Sequence, residues 1–302
     1  MISKNRQEEV KILSTTLSRH ELASKFGVEV DTIRRYLSYT KEVPKAPKIL
    51  IFDIETMFME VSVWGLYKQY IPNDNIIKDW NMLSWAAKWL FDDEIMSDIL
   101  TPKEAVARDD SRILKSMWKL LEESDCVIAH NGDKFDIRKL NARFIQQGLI
   151  PPLPYQSIDT LKVAKRYFAF SAYSLNFLCK MFGLSPKIHT GYELWKNCCK
   201  GDEKALKKMK QYNIGDILSL EELYLKLRPW IKNHPNVGTY INSEKPVCPN
   251  CGSSDLDWKG HYHTPAGRFE TFRCEACGAI GRSRRSEFGR EQKRNLTVPV
   301  AR

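Results

Sequence analysis

Long apolar runs are missing from this 302-residue sequence: no stretch approaches the roughly 18 apolar residues of a membrane-crossing helix, so no membrane partner is expected. The opening MISKNRQEEV is polar and charged, which argues against a secretory signal and makes the cytoplasm the expected compartment. Acid is in deficit. Thirty-seven Asp and Glu face 47 Lys and Arg, a formal charge of +10 that favours a polyanionic partner such as nucleic acid. No internal repeat is visible. Nor do the eight cysteines read as a disulfide framework, because four of them form two C-x-x-C pairs, a metal-binding pattern. Cys126, Cys179, Cys198 and Cys199 read as ordinary thiols.

What is present is enough apolar residue, 43%, to bury a core in one main domain with small appendages. Composition breaks at YTKEVPKAPK (39–48) and at KNHPNVGTYINSEKP (232–246). The chain therefore divides into a short helical piece over 1–42, a mixed piece over 48–230, a cysteine-bearing piece over 243–281 and a basic tail over 282–302. In the mixed piece KILIFDI reads as a buried strand, MLSWAAKWLF and EIMSDIL as two more around an Asp-Asp turn, and RDDSRILKSMWKLLEES as an amphipathic helix. DCVIAH is a further strand, DIRKLNARFIQQGL a helix from Asp to Gly, SIDT a strand stub, and 174–227 mostly helical. A strand meander followed by alternating helices and strands predicts an α/β sandwich with a mixed sheet.

FDIET sets Asp53 and Glu55 at i and i+2 of a strand, so both carboxylates project from one face near its carboxyl end. Two like charges that close raise each other's pKa unless something positive lies between them, and a divalent cation is the natural candidate. Taken alone, the pair reads equally well as a turn-starting Asp and a solvated Glu. Two further stretches alter that balance. VIAHNGDKFDIRKL places His130 and Asn131 after an apolar strand and Asp136 at a helix start, and KMKQYNIGDILSLEELY places Tyr212 one helical turn before Asp216 on the same face.

FDIET, HNGDKFD and YNIGD, in that order, resemble the three motifs of the DEDD superfamily of 3′-to-5′ exonucleases, which includes polymerase proofreading domains and DnaQ-like nucleases. The resemblance spans roughly residues 48–228. Its histidine branch carries a His five residues before the last Asp, where this chain has Gln211; its tyrosine branch carries a Tyr four before it, where this chain has Tyr212. The tyrosine branch is the better match. The resemblance implies a ribonuclease H-like mixed sheet flanked by helices, and release of nucleoside 5′-monophosphates from a 3′ end with two Mg²⁺ or Mn²⁺ ions. It assigns Asp53 to both metals, Glu55 and Asp216 to the one that activates water, Asp136 to the other through water, and Tyr212 to orienting the nucleophile. Single-stranded or 3′-ended DNA is the expected partner, with RNA compatible with the same acids and a separate polymerase a further partner. Asp133 and Asp159 read as structural, and His130 and Asn131 as a buried polar pair first, with Asn131 also a candidate nucleic-acid contact. The stretch between the first two motifs also resembles that of phage-encoded ribonuclease H-like exonucleases, for which the compartment would be the host cytoplasm. Its Trp64, Tyr67, Trp80, Trp85 and Trp89 read as core first and as single-strand stacking residues second.

At the amino end, LSRHELASKFGVEVDTIRRYL has Ala23 and Gly27 spaced for a helix-turn-helix, with a recognition helix over 31–38 and Thr32, Arg34 and Arg35 as contacts to nucleic acid. A protein-binding three-helix module is the alternative. Cys248, Cys251, Cys274 and Cys277 form two C-x-x-C knuckles, four thiolates suited to one structural Zn²⁺, in a segment that resembles zinc ribbons. His261 and His263 are then spare, and the basic tail is expected to be disordered until it meets phosphate. Two other functions share these parts: a transposase-like enzyme, which lacks the D-x-E pair and the Y-x-x-x-D turn, and a DNA-binding regulator using the helix-turn-helix and ribbon on an inert core.

Overall fold

The computed structural model of the chain describes residues 10, 17–30, 32–33, 47–184, 190–241, 243–298 and 300. At its centre is β1 (Ile49–Thr56), whose apolar run ILIF is buried on both faces. A strand buried on both sides needs cover on both, and the rest of the chain supplies it.

To one side of β1 lies β4 (Met82–Trp89) and then β5 (Met96–Ile99), both antiparallel to their neighbours; to the other lie β6 (Cys126–Ala129) and β7 (Gln156–Asp159), both parallel. This is the mixed sheet expected from the meander and the strand-helix alternation. Leu50, Phe52 and Ile54 point to one side, where they meet Ile113, Leu114 and Met117 of α3 (Ser111–Glu122) and Leu140 and Phe144 of α4 (Asp136–Gln146). Ile49 and Ile51 point to the other, against α5 (Thr160–Tyr167), α6 (Leu175–Phe182) and the long α8 (Glu203–Leu227). Each such fully buried side chain contributes about 1.5 to 3 kcal/mol, so β1 is held by both layers at once. Asp202 starts α8 by accepting from the Ala205 N–H at 2.7 Å, and Pro229 follows its end.

Smaller parts flank the sheet. α1 (Arg19–Phe26) opens with a Ser18–Glu21 capping box and stops at Gly27, whose φ of 64° is the left-handed cap, and Leu22, Ala23, Ile33 and Val10 bury together. Thr32 is half-buried there, whereas most of the expected recognition helix over 31–38, Arg34 and Arg35 included, lies outside the described residues. Between β1 and β4 the chain makes a small hairpin from β2 (Glu60–Val61) and β3 (Ile76–Lys78), and between β5 and α3 lies α2 (Pro102–Ala107). α7 (Tyr192–Cys199) packs on α8.

Beyond α8, β8 (Leu256–Thr264), β9 (Gly267–Cys274) and β10 (Ile280–Arg282) make an antiparallel sheet at the cysteine knuckles. It is tied to the main domain by Asn250, whose side-chain amide donates to the Arg228 carbonyl at 3.0 Å, and by the Val237 N–H donating to the Pro249 carbonyl at 2.7 Å. The tail, expected to be unstructured, runs on beside β9: Ser283 N–H bonds Glu270 carbonyl at 2.8 Å, Glu287 N–H bonds Arg268 carbonyl at 2.9 Å, and α9 (Arg290–Arg294) follows. Backbone pairing with β9 supplies the order that the polar composition alone does not. Among the described residues no helix is long and apolar enough to cross a membrane.

Candidate active site and cysteine cluster

The i, i+2 spacing of Asp53 and Glu55 does what strand geometry requires. Ile54 between them is buried on the opposite face, and both acids stand half-buried on the α8 side of β1. Their cross-strand neighbours are small: Asp53 sits opposite Ala86 and Glu55 opposite Ser84. That leaves room for α8 to bring Asp216 in from above. One carboxylate oxygen from each of Asp53, Glu55 and Asp216 lies within 4.8 Å of the others. Such a group of hard oxygen donors, partly shielded from water, could hold a metal ion, and oxygen ligands suit Mg²⁺ or Mn²⁺.

Asp136 stands just outside this group. At the first position of α4 it is 2% exposed, and its Oδ1 accepts the Ile54 N–H at 3.1 Å, at the point where β6 has ended and β1 has no neighbour on that side. Burial pushes its carboxyl up to about 7; the Ile54 bond opposes that shift and the nearby Asp159 adds to it. Tyr212 lies one turn before Asp216 on α8, buried, with its ring edge-on to Trp195 at a centroid distance of 5.9 Å. Of the residues expected at the site, three acids converge, the fourth braces the strand beside them, and the tyrosine sits one helical turn away.

Asp53 and Glu55 line a cleft of about 550 Å³ with Asp216, His130, Asn131 and Lys165. Both ring nitrogens of His130 are engaged, at 2.9 Å from the Thr160 hydroxyl and 2.9 Å from the Tyr173 carbonyl, although His130 and Asn131 are half-buried on the cleft wall and not the buried pair expected. Asn131 has a left-handed backbone, φ 69°, and its N–H donates to Asp159 at 3.0 Å. Gly132 after it is obligatory for packing, since a Cβ there would lie 2.4 Å from that of Ala129. Asp159 caps α5 by accepting from Leu161 and Lys162, and Asp133 pairs with Lys162 at 2.6 Å. Both have structural work outside the cluster.

Neither Lys165 on the cleft wall nor Asn213 beside the acids was singled out by the sequence reading. Asn213, fully buried on α8, donates its amide to Asp53 Oδ2 at 2.7 Å and accepts from the Ser84 hydroxyl at 3.1 Å. It lies inside YNIGD, next to Tyr212 and three residues before Asp216, so the only signal was its place within that motif.

The cysteines form a second group that could hold a metal. Cys248, Cys251, Cys274 and Cys277 gather their sulfurs within 4.8 Å, with Cys248–Cys277 at 3.6 Å and Cys251–Cys274 at 3.5 Å. These separations are far too long for disulfides and close to the roughly 3.8 Å expected between ligands set tetrahedrally about 2.3 Å from zinc. The two knuckles repeat one geometry: the N–H groups of Gly252 and Gly278 each bond the first cysteine's carbonyl at 2.8 Å, with φ of 77° and 76°. His261 and His263 are exposed on β8, outside the cluster.

Residues 91–228 match the family model described as the RNase_H superfamily, a stretch that includes Asp136, Tyr212 and Asp216 but begins after β1 and its acids. The mixed sheet with helices on both faces is in keeping with a ribonuclease H-like fold. Over 137 residues, 45% of this chain, the sequence is 27% identical to a protein named DNA polymerase III PolC-type from Ureaplasma parvum serovar 3, and the match spans 9% of that protein's length. A solved structure of the family B DNA polymerase from Pyrobaculum calidifontis aligns with 63% of this chain and 26% of its own, at 17% identity and a TM-score of 0.47.

Proposed function

We propose that the chain is a metal-dependent 3′-to-5′ exonuclease of the tyrosine DEDD branch, removing nucleoside 5′-monophosphates from the 3′ end of nucleic acid, DNA first. The observation that carries this reading is the convergence of Asp53, Glu55 and Asp216 at the carboxyl end of β1, with Asp136 and Tyr212 beside them. The ribonuclease H family match and the PolC-type relative support nuclease chemistry. Glu55's place in the group speaks against a transposase-like enzyme, which lacks the D-x-E pair.

Two hard divalent ions, Mg²⁺ or Mn²⁺, would supply charge neutralisation at the scissile phosphate and a water acidic enough to attack near neutral pH. Asp53, Glu55 and Asp216 would hold them, with Asp136 in support. Asn213 fixes the Asp53 carboxylate by its 2.7 Å bond, and the Ser84 hydroxyl fixes the Asn213 amide in turn. Tyr212, one helical turn before Asp216, would orient the nucleophilic water by hydrogen bonding. Lys165 and Asn131 at the cleft wall are placed to meet a phosphate or sugar. The four thiols take a structural Zn²⁺, and the amino-terminal helices and ribbon hold nucleic acid.

The test is degradation of a 5′-labelled strand, run in parallel on single-stranded DNA, duplex DNA and RNA with the metal varied. Shortening from the 3′ end is expected, stopped by Asp53→Ala or Asp216→Ala and by a blocked 3′ end. Cutting of a closed circle would contradict the reading.

A further inference from the structure

Residues 57–81 leave the sheet and return to it as a hairpin rooted at the end of β1, directly after the two acids. Its stem is firmly held. Arg108, which caps α2 with a left-handed φ of 55°, donates to the carbonyls of Phe58 at 2.9 Å and Asp79 at 2.7 Å, one on each leg, and pairs with Glu60 at 2.7 Å. Lys78 adds a second pair to Glu60 at 3.3 Å. The tip beyond this clamp bears three aromatic rings almost wholly in solvent: Trp64 is 99% exposed, and Tyr67 and Tyr70 are 88% each. From Ser62 to Asn75, between β2 and β3, the tip contains one acid, Asp74, and one base, Lys68.

The returning leg ends on another aromatic surface. Lys139 of α4 holds its ammonium 3.6 Å over the Trp80 ring and 5.2 Å from the ring of Phe135, the residue before Asp136. Ring faces and a cation thus run from the hairpin stem to the second motif. Three features favour nucleic acid over a protein as the occupant. The rings recur every third residue, the single acid of the tip, Asp74, is balanced by Lys68 so that no net negative charge repels a phosphate chain, and the stem grows from the strand that carries the acids.

We infer that the hairpin tip, with Trp80, Lys139 and Phe135 at its root, is a stacking platform for the bases of single-stranded nucleic acid. The inference rests on the exonuclease reading, and it gives that enzyme a hold on the strand upstream of the nucleotide being removed.

The test compares wild type with a variant carrying Trp64→Ala, Tyr67→Ala and Tyr70→Ala together, both full length. All three side chains are exposed, so the variant should melt as wild type does. Fluorescence anisotropy without added metal reads the affinity for a labelled oligothymidylate and for a strand of equal length and charge whose interior positions are abasic. Loss of even one base stack is worth about 5- to 150-fold in affinity. The expected result is a loss in that range for the variant on the oligothymidylate, a similar loss for wild type on the abasic strand, and no further difference between the two proteins there. A second variant, Trp64→Phe, should retain most of the affinity. Equal affinity of wild type and triple variant for the oligothymidylate overturns the inference, and if sedimentation then shows that only wild type self-associates, the tip joins copies of this chain. Hydrolysis of thymidine 5′-monophosphate p-nitrophenyl ester, too small to reach the tip, should be the same in both proteins. Its absence in both, with the anisotropy pattern intact, would count against the exonuclease reading and leave the platform standing.

Discussion

Asn213→Ala removes one buried amide and no candidate metal ligand, so it isolates how the acidic group is held. In the native chain the amide donates to Asp53 Oδ2 at 2.7 Å and accepts from Ser84 at 3.1 Å. A hydrogen bond to a charged group contributes about 1.5 to 3 kcal/mol. Loss of a supporting partner of a metal-ligating carboxylate typically costs about 10- to 100-fold in metal affinity or activity, which is about 1.4 to 2.7 kcal/mol. The two routes agree. Exonuclease rates measured over a range of Mg²⁺ concentrations should therefore show the half-saturating concentration rising by about one to two orders of magnitude. The rate at saturating Mg²⁺ should fall less, because Asp53 itself remains. Asn213→Asp, nearly the same size, sets another carboxylate against Asp53 and should be worse than alanine, whereas a purely steric role for Asn213 predicts the reverse order. Ser84→Ala, one bond further out, should have the smallest effect. A wild-type Mg²⁺ dependence in Asn213→Ala would refute the argument that this amide positions Asp53.

The other expectations concern stability and metal content. His234 is buried with its ring nitrogens 2.7 Å from the Tyr224 hydroxyl and 2.7 Å from the Pro235 carbonyl, and burial pulls its pKa down from 6.5 to about 4. The unfolded chain takes up that proton near 6.5 and the folded chain only near 4, so the contribution is complete above pH 6.5 and is lost as pH falls towards 4, by roughly 3 kcal/mol in all. Urea midpoints at several pH values should show the decline, and His234→Gln should flatten it; an unchanged slope in that variant would assign the decline elsewhere. For the cysteines, atomic absorption should find one zinc per chain in wild type, with the content falling towards zero in Cys248→Ser and Cys274→Ser, and retention of full zinc would show that the four thiols are not its ligands. Gly132→Ala must displace Ala129 or the turn itself, so its urea midpoint should drop by the equivalent of about 1 to 3 kcal/mol; no change would mean that the turn yields freely.

The sheet and its helices were legible because strand and helix periods differ and the central run ILIF has apolar residues on both faces. β4, β5, α3, β6, α4 and β7 fall where MLSWAAKWLF, EIMSDIL, RDDSRILKSMWKLLEES, DCVIAH, DIRKLNARFIQQGL and SIDT placed them. That Asp53 and Glu55 share a face was legible because i, i+2 on a strand fixes a face whatever the rest of the chain does, whereas Asp216 was reached only through its place one helical turn after Tyr212 in YNIGD. Asn213 was not legible. Its role depends on α8 lying over the β1–β4 pair in the register that sets Glu55 opposite Ser84, and no local pattern encodes that register. Aromatic side chains misled in one place. Trp85 and Trp89 pack into the core as expected, but Trp64 and Tyr67, read as core first, stand in solvent. The reason is the two- and three-residue strands β2 and β3: so short a ladder, clamped near its base by Arg108 and the Lys78–Glu60 pair, carries the tip away from the sheet.

β1 also explains why the site and the core cannot be separated in this chain. Ile54 lies between the two acids; its side chain is buried with Leu50 and Phe52 on the α3 and α4 face, while its N–H holds Asp136. A single residue thus sets the height of Asp53 and Glu55 above the sheet, anchors the second motif and belongs to the apolar core. Slippage of β1 by one residue would exchange its faces, burying the carboxylates and turning Phe52 and Ile54 towards α8. The buried ILIF run resists that slippage, because its side chains are already committed to two cores. The hydrophobic effect that folds the sheet is therefore also what aims the carboxylates at one another.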